Sequence, residues 1–154
     1  MDPISKHISF EEATRSDVAK RYGYPNMPGE AELSRMKELA EAVFEPLRDY
    51  ADAPVMINSF YRCRQVNTLI GGSELSQHCK GEAMDIGGTS GEKTMKELFV
   101  FILKNLEFDQ LIWEFGTFHN PDWIHVSYRK GRNRKEVLMS KKEGHKTIYQ
   151  KFTL

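Results

Sequence analysis

The sequence holds only two cysteines, Cys63 and Cys79, among 154 residues. Two are too few for a disulfide scaffold, and whether they pair depends on a fold that the sequence does not display. No stretch approaches the roughly 18 consecutive apolar residues that a membrane span needs. An excess of one charge is also missing, since 22 Lys and Arg balance 22 Asp and Glu. Without a net field, nothing argues for nucleic acid or an anionic membrane as the main partner. The one basic stretch, Arg129 to Lys135, reads as a solvated turn. Met1 to His7 lacks a basic segment followed by an apolar one, so no signal peptide is readable. Repeats, low-complexity tracts and long linkers are absent as well. One soluble domain over residues 1–154 is therefore expected, long enough to bury a core, with a monomer as the expected state.

Helices are expected first along the chain. Ser9 and Glu12 have the spacing of a capping box at the start of a short helix. From Ala31 to Tyr50, Leu33, Met36, Leu39, Ala40, Val43, Phe44 and Leu47 recur at three- and four-residue steps. That spacing predicts the chain's best amphipathic helix, with Pro46 as a kink near its end. Arg21 to Gly29 is expected to be irregular, because the prolines of Tyr24 to Gly29 cannot continue a helix. Val55 to Phe60 reads as a strand, Arg64 to Ile70 as a short helix, and Ala83 to Ile86 as a strand ended by Gly87 and Gly88. Ser90 is expected to cap a helix from about Glu92 to Leu106. Phe108 to Phe115 and Trp123 to Tyr128 read as strands, and Val137 to Met139 and Thr147 to Phe152 as weaker ones. Early helices followed by clustered strands predict an α+β domain with an antiparallel sheet.

Two segments carry chemistry. Ser76 to Asp85 contains His78 and Asp85 seven residues apart across a glycine turn, and Pro121 to Ser127 contains Asp122 and His125. Two imidazoles and a carboxylate are the ligand count of a catalytic zinc, which keeps a fourth position open. Alternation puts Asp85 on the face opposite Met84 and Ile86, and His125 on the face opposite Ile124 and Val126. Were the two strands neighbours, both side chains would aim at a common ion, with His78 reaching it from the preceding loop. Read singly, each of these residues is equally compatible with an ordinary structural role. Hydrolysis also needs a base for water. Asp122 serves if it sits just before regular strand pairing begins; Glu114, at the end of the preceding strand, is the alternative.

The run Ser76-x-His78-x-x-Gly81-x-Ala83-x-Asp85, followed by Asp122-Trp123-x-His125, resembles the M15 family of zinc peptidases. That family includes D-alanyl-D-alanine carboxypeptidases, vancomycin-resistance dipeptidases and phage L-alanyl-D-glutamate endopeptidases. The resemblance runs from about Ser59 to Ser127, inside a motif-bearing core of about 55–130. It implies an α+β domain of the hedgehog/DD-peptidase type, with a helical N-terminal part packed on a central antiparallel sheet. It implies one zinc ion held by His78, Asp85 and His125, and Asp122 as catalytic base. Aspartate there, where many members have glutamate, is similar to the phage endopeptidases. Ser59-Phe60-Tyr61-Arg62 resembles a family element whose arginine binds a substrate carboxylate or orients the carbonyl, a task suited to a forked guanidinium. Ser76 is expected to contact substrate or to hold the His78 loop, and Cys79 to pack rather than bind metal.

The expected function is hydrolysis in peptidoglycan stem peptides, or in a small D-amino-acid peptide, by a carboxypeptidase-like enzyme. The alternatives are an L-Ala-D-Glu endopeptidase of the phage endolysin kind and a non-catalytic zinc-binding module. Because the substrate lies outside the cytoplasm, synthesis inside a host followed by phage-like release, or an unknown export route, is expected.

Overall fold

The computed structural model describes residues 1–153. Helix α1 spans Phe10–Thr14, with Ser9 as its N-cap accepting the Glu12 N–H at 3.0 Å. A second short helix, α2 at Asp17–Tyr22, was not expected; Ser16 caps it and Gly23 ends it in the left-handed conformation. The long apolar stripe forms α3 at Glu30–Leu39 and α4 at Glu45–Ala51, joined by a π-helical segment at Ala40–Phe44. The expected kink at Pro46 is thus resolved as a π segment. The Glu45 N–H bonds the Ala40 carbonyl five residues back, so the register shifts just before a residue that has no N–H to give.

The strands are β1 at Val55–Ser59, β2 at Ala83–Thr89, β3 at Gln110–Glu114, β4 at Trp123–Ser127, β5 at Glu136–Glu143 and β6 at Lys146–Lys151. Helix α5, Arg64–Leu69, follows β1, and α6, Met95–Asn105, follows β2. The six strands form one sheet in the order β1-β2-β4-β3-β5-β6. Every pairing is antiparallel except β3 with β5, which is parallel and is the departure from an all-antiparallel expectation. The fold is α+β, with the helical N-terminal part and the sheet sharing one core.

Two boundaries differ from expectation. Strand β2 runs through Gly87 and Gly88 to Thr89, because β1 supplies its ladder partners across an irregular register. The glycines suit that pairing, since a Cβ on Gly87 would collide with the Asn58 side chain. The cap of α6 is Thr94, not Ser90. Thr94 accepts the Glu97 N–H at 3.1 Å and Glu97 returns a bond to the Thr94 N–H at 3.0 Å, so the full capping box lies here. Strand alternation holds as expected: Met84, Ile86, Ile124 and Val126 are fully buried in the core, which leaves Asp85 and His125 on the opposite face.

The basic stretch after β4 is more than a solvated turn. Asp109 is fully buried just ahead of β3 and accepts bonds from the Arg134 backbone N–H at 2.9 Å, Nε at 3.0 Å and an amino group at 2.9 Å. It also accepts from Gln77 Nε2 at 2.9 Å, which ties it to the residue before His78. Burial works against this charge, but the bonds from Arg134 and Gln77 prevail and hold the carboxyl down at about 2. A folded value below the unfolded one, about 3.9, adds stability that is complete above pH 4 and is lost as pH falls toward 2. Asp109→Ala should lower the unfolding free energy by about 3 kcal/mol at neutral pH. It should also remove part of the acid-induced loss between pH 4 and 2. Urea unfolding of both proteins across that range checks this, and equal acid slopes would exclude Asp109 as the source.

Candidate metal centre

His78 sits in a single 3-10 turn, Gln77–Lys80, between α5 and β2. The Ser76 carbonyl accepts the Cys79 N–H at 3.2 Å and so closes the turn from its front. Gly81 ends it at φ 76, where the chain also passes so close to α3 that a Cβ would strike the Glu32 carbonyl. The turn is further tied to the chain after β1, because the Arg62 N–H bonds the His78 carbonyl at 3.2 Å. His78 is buried, and its Nδ1 lies 2.8 Å from the Phe60 carbonyl. A carbonyl can only accept, so Nδ1 carries the proton and Nε2 keeps its lone pair for a ligand.

Asp85 and His125 are direct cross-strand partners on β2 and β4. The Asp85 Oδ1 atom stands 3.3 Å from His125 Nδ1 and 3.3 Å from His78 Nε2. The two imidazoles meet edge to face, with ring centroids 5.4 Å apart. Donor atoms of the three residues all lie within 4.8 Å of one another, a grouping that could hold one metal ion. Burial alone would push the Asp85 carboxyl up. The adjacent His78 and His125 overcome that and hold it well below the usual carboxylate range, so it is an anion throughout the neutral range.

The other expected site residues differ in burial and in partners. Asp122 is exposed and lies one position before β4, with its N–H bonded to the Glu114 carbonyl at 2.8 Å. Glu114 pairs with Trp123 across β3 and β4, which puts its side chain on the face of His125, two residues along each strand. It is buried, and Ser140 donates to its Oε1 at 2.6 Å. Burial pushes the Glu114 carboxyl up, against the Ser140 bond and His125, and the Asp85 charge adds to the rise. Arg62 is half-buried and spends one amino group on Asn67 Oδ1 at 3.2 Å. Cys63 and Cys79 are both free thiols. His7, which has no part in the cluster, is bound to Glu45 at 2.6 Å.

Some contributors had no signal in the sequence. The Phe60 carbonyl is a backbone group and could not be singled out by residue type. Ser140 belongs to a strand whose register against β3 is set only by the parallel pairing.

No curated protein sequence matches this chain. The profile of the Peptidase M15 family matches residues 6–127, from just before α1 to the last residue of β4, and stops short of β5 and β6. Because that span takes in the His78 turn and both strands that set Asp85 against His125, the chain belongs to the M15 family of peptidases.

Proposed function

We propose that this M15 peptidase is zinc-dependent and hydrolyses a peptide bond in the stem peptides of peptidoglycan or in a closely similar D-amino-acid peptide. The observation that carries the metal reading is the pair of 3.3 Å separations from Asp85 Oδ1 to the two histidine nitrogens. Zinc at about 2.0–2.1 Å from each ligand in a tetrahedron sets ligand atoms about 3.3 Å apart. The donor set of two neutral imidazoles and one carboxylate also suits zinc, and the Phe60 carbonyl fixes the tautomer of one of them. When bound, zinc supplies Lewis acidity toward the scissile carbonyl and toward water.

The chain's own groups do the rest. Asp122, exposed at the mouth of β4, accepts the proton of the attacking water and passes it to the leaving amine. Arg62 directs its remaining guanidinium donors at a substrate carboxylate or carbonyl, and Ser76 lines the same approach. Glu114 is the second candidate for the base, because it shares the face of His125 and burial pushes its carboxyl up.

Carboxypeptidase-like removal of a terminal D-alanine is the first reading of bond choice. An endopeptidase acting at L-Ala-D-Glu is the second, favoured by the continuation of the polar face past Glu114 to Ser140 and Tyr149.

Four measurements test these statements. Metal analysis of the purified protein should give about one zinc per chain, and His125→Ala should lose it together with activity. Because the ion would link three separate segments, a chelator should lower the melting temperature as well; an unchanged melt would mean that the metal adds little to the fold. Asp122→Ala should keep zinc and lose roughly a hundredfold or more in kcat, whereas full activity would transfer the role to Glu114. Mass analysis of digested peptidoglycan separates the bond choices: free D-alanine alone supports the carboxypeptidase, and stem peptides cut from L-alanine support the endopeptidase.

A further inference from the structure

The face that carries the metal centre does not end at β4. One row of cross-strand partners runs Asp85, His125, Ile112, Leu138 over β2, β4, β3 and β5. The row beside it runs Trp123, Glu114, Ser140, Tyr149 over β4, β3, β5 and β6. Directly paired residues point the same way, and residues two apart share a face, so both rows lie on one face of the sheet.

Glu114 and Ser140 are both buried, and the serine hydroxyl holds one carboxylate oxygen. Ser140 is itself pinned. Phe115 adopts φ 56, and its N–H reaches the Ser140 carbonyl and Oγ, each at 3.2 Å. The Phe115 ring packs on Trp123, with centroids 5.4 Å apart. Among the described residues, Glu114 Oε2 has no protein partner, yet no buried side-chain polar atom is left unbonded. That oxygen is therefore not fully sealed from solvent. Tyr149, next in the row, is 54% exposed. Burial raises its phenol, and the Glu114 and Asp85 carboxylates raise it further, so the hydroxyl lies within the field of both.

An accepting carboxylate oxygen and, two strands along the same row, a donating phenol complement an extended peptide, which offers N–H and C=O groups in turn. We propose that Glu114, held in place by Ser140, and Tyr149 form a subsite that binds the substrate's peptide backbone on the β6 side of the metal centre. The β5–β6 hairpin is then a wall of the binding cleft, supplied by residues beyond those that the family profile matches. Glu114 and Tyr149 touch substrate; Ser140 is a positioning residue that acts through Glu114.

This subsite rests on the peptidase reading, and its test separates the two. Wild type, Tyr149→Phe and Ser140→Ala, all zinc-loaded, are compared on a dipeptide holding only the scissile bond and on peptides extended by two residues at either end. Extension at one end should lower the wild-type KM by roughly tenfold, the scale of one or two hydrogen bonds. Both variants should lose that gain while kcat on the extended peptide stays within about twofold. Wild-type melting curves in the variants would show that the fold is kept. Variants with the wild-type KM on every peptide overturn the subsite while leaving the peptidase reading intact. A fall in kcat at unchanged KM also overturns it, by placing these residues in the chemistry. A zinc-loaded wild type that cleaves none of the peptides overturns both.

Discussion

The register that sets Asp85 directly opposite His125 is the constraint on which the centre depends. A strand has a side-chain period of two, so a slip of one residue between β2 and β4 would send one of the pair into the core and bring Met84 or Val126 out. That slip would strand a charge or an imidazole among apolar side chains that are fully buried, a cost that disfavours it. The hydrophobic alternation that builds the core thus also aims the two strand ligands. The third, His78, comes from a turn, and its geometry has to be enforced by bonds rather than by alternation.

Those bonds come from three directions. Phe60 holds the imidazole, Arg62 holds the carbonyl of the same residue, and Gln77 is anchored on the buried Asp109. Asp109 in turn is clasped by Arg134 from the chain after β4. The turn is therefore braced by segments before and after it in sequence. Arg134 keeps a half-exposed side chain while binding a fully buried partner. Its fork meets that carboxylate at two points, which a lysine in its place could not do.

Much of this was readable from residue types and spacing. The amphipathic stripe of Ala31 to Tyr50, the strand alternation around Asp85 and His125, and the α+β order all follow from periodicity, because burial of one face imposes it locally. Features set by distant partners were not readable. The cap of α6 is not one of them: Thr94-x-x-Glu97 has the capping-box spacing, which Ser90, with Lys93 three residues on, lacks. Strand β2 crosses Gly87 and Gly88, which would normally end a strand, because β1 pairs with Ile86, Gly88 and Thr89 around a register shift at Gly87. The parallel pairing of β3 with β5 brings Ser140 to Glu114 from 26 residues away. No local pattern around either residue announces that meeting.

By itself, the sequence determined which residues could ligate a metal and which strand faces they occupy, because ligand chemistry is a property of side-chain type and facing is a property of local alternation. The tertiary structure decided that those faces meet, that one carboxylate oxygen stands equally far from two imidazole nitrogens, and that Asp122 lies exposed while Glu114 is buried beside the same centre. The reason is that strand neighbours, burial and hydrogen-bond partners are long-range choices, made by the whole core at once and not by the residues on either side.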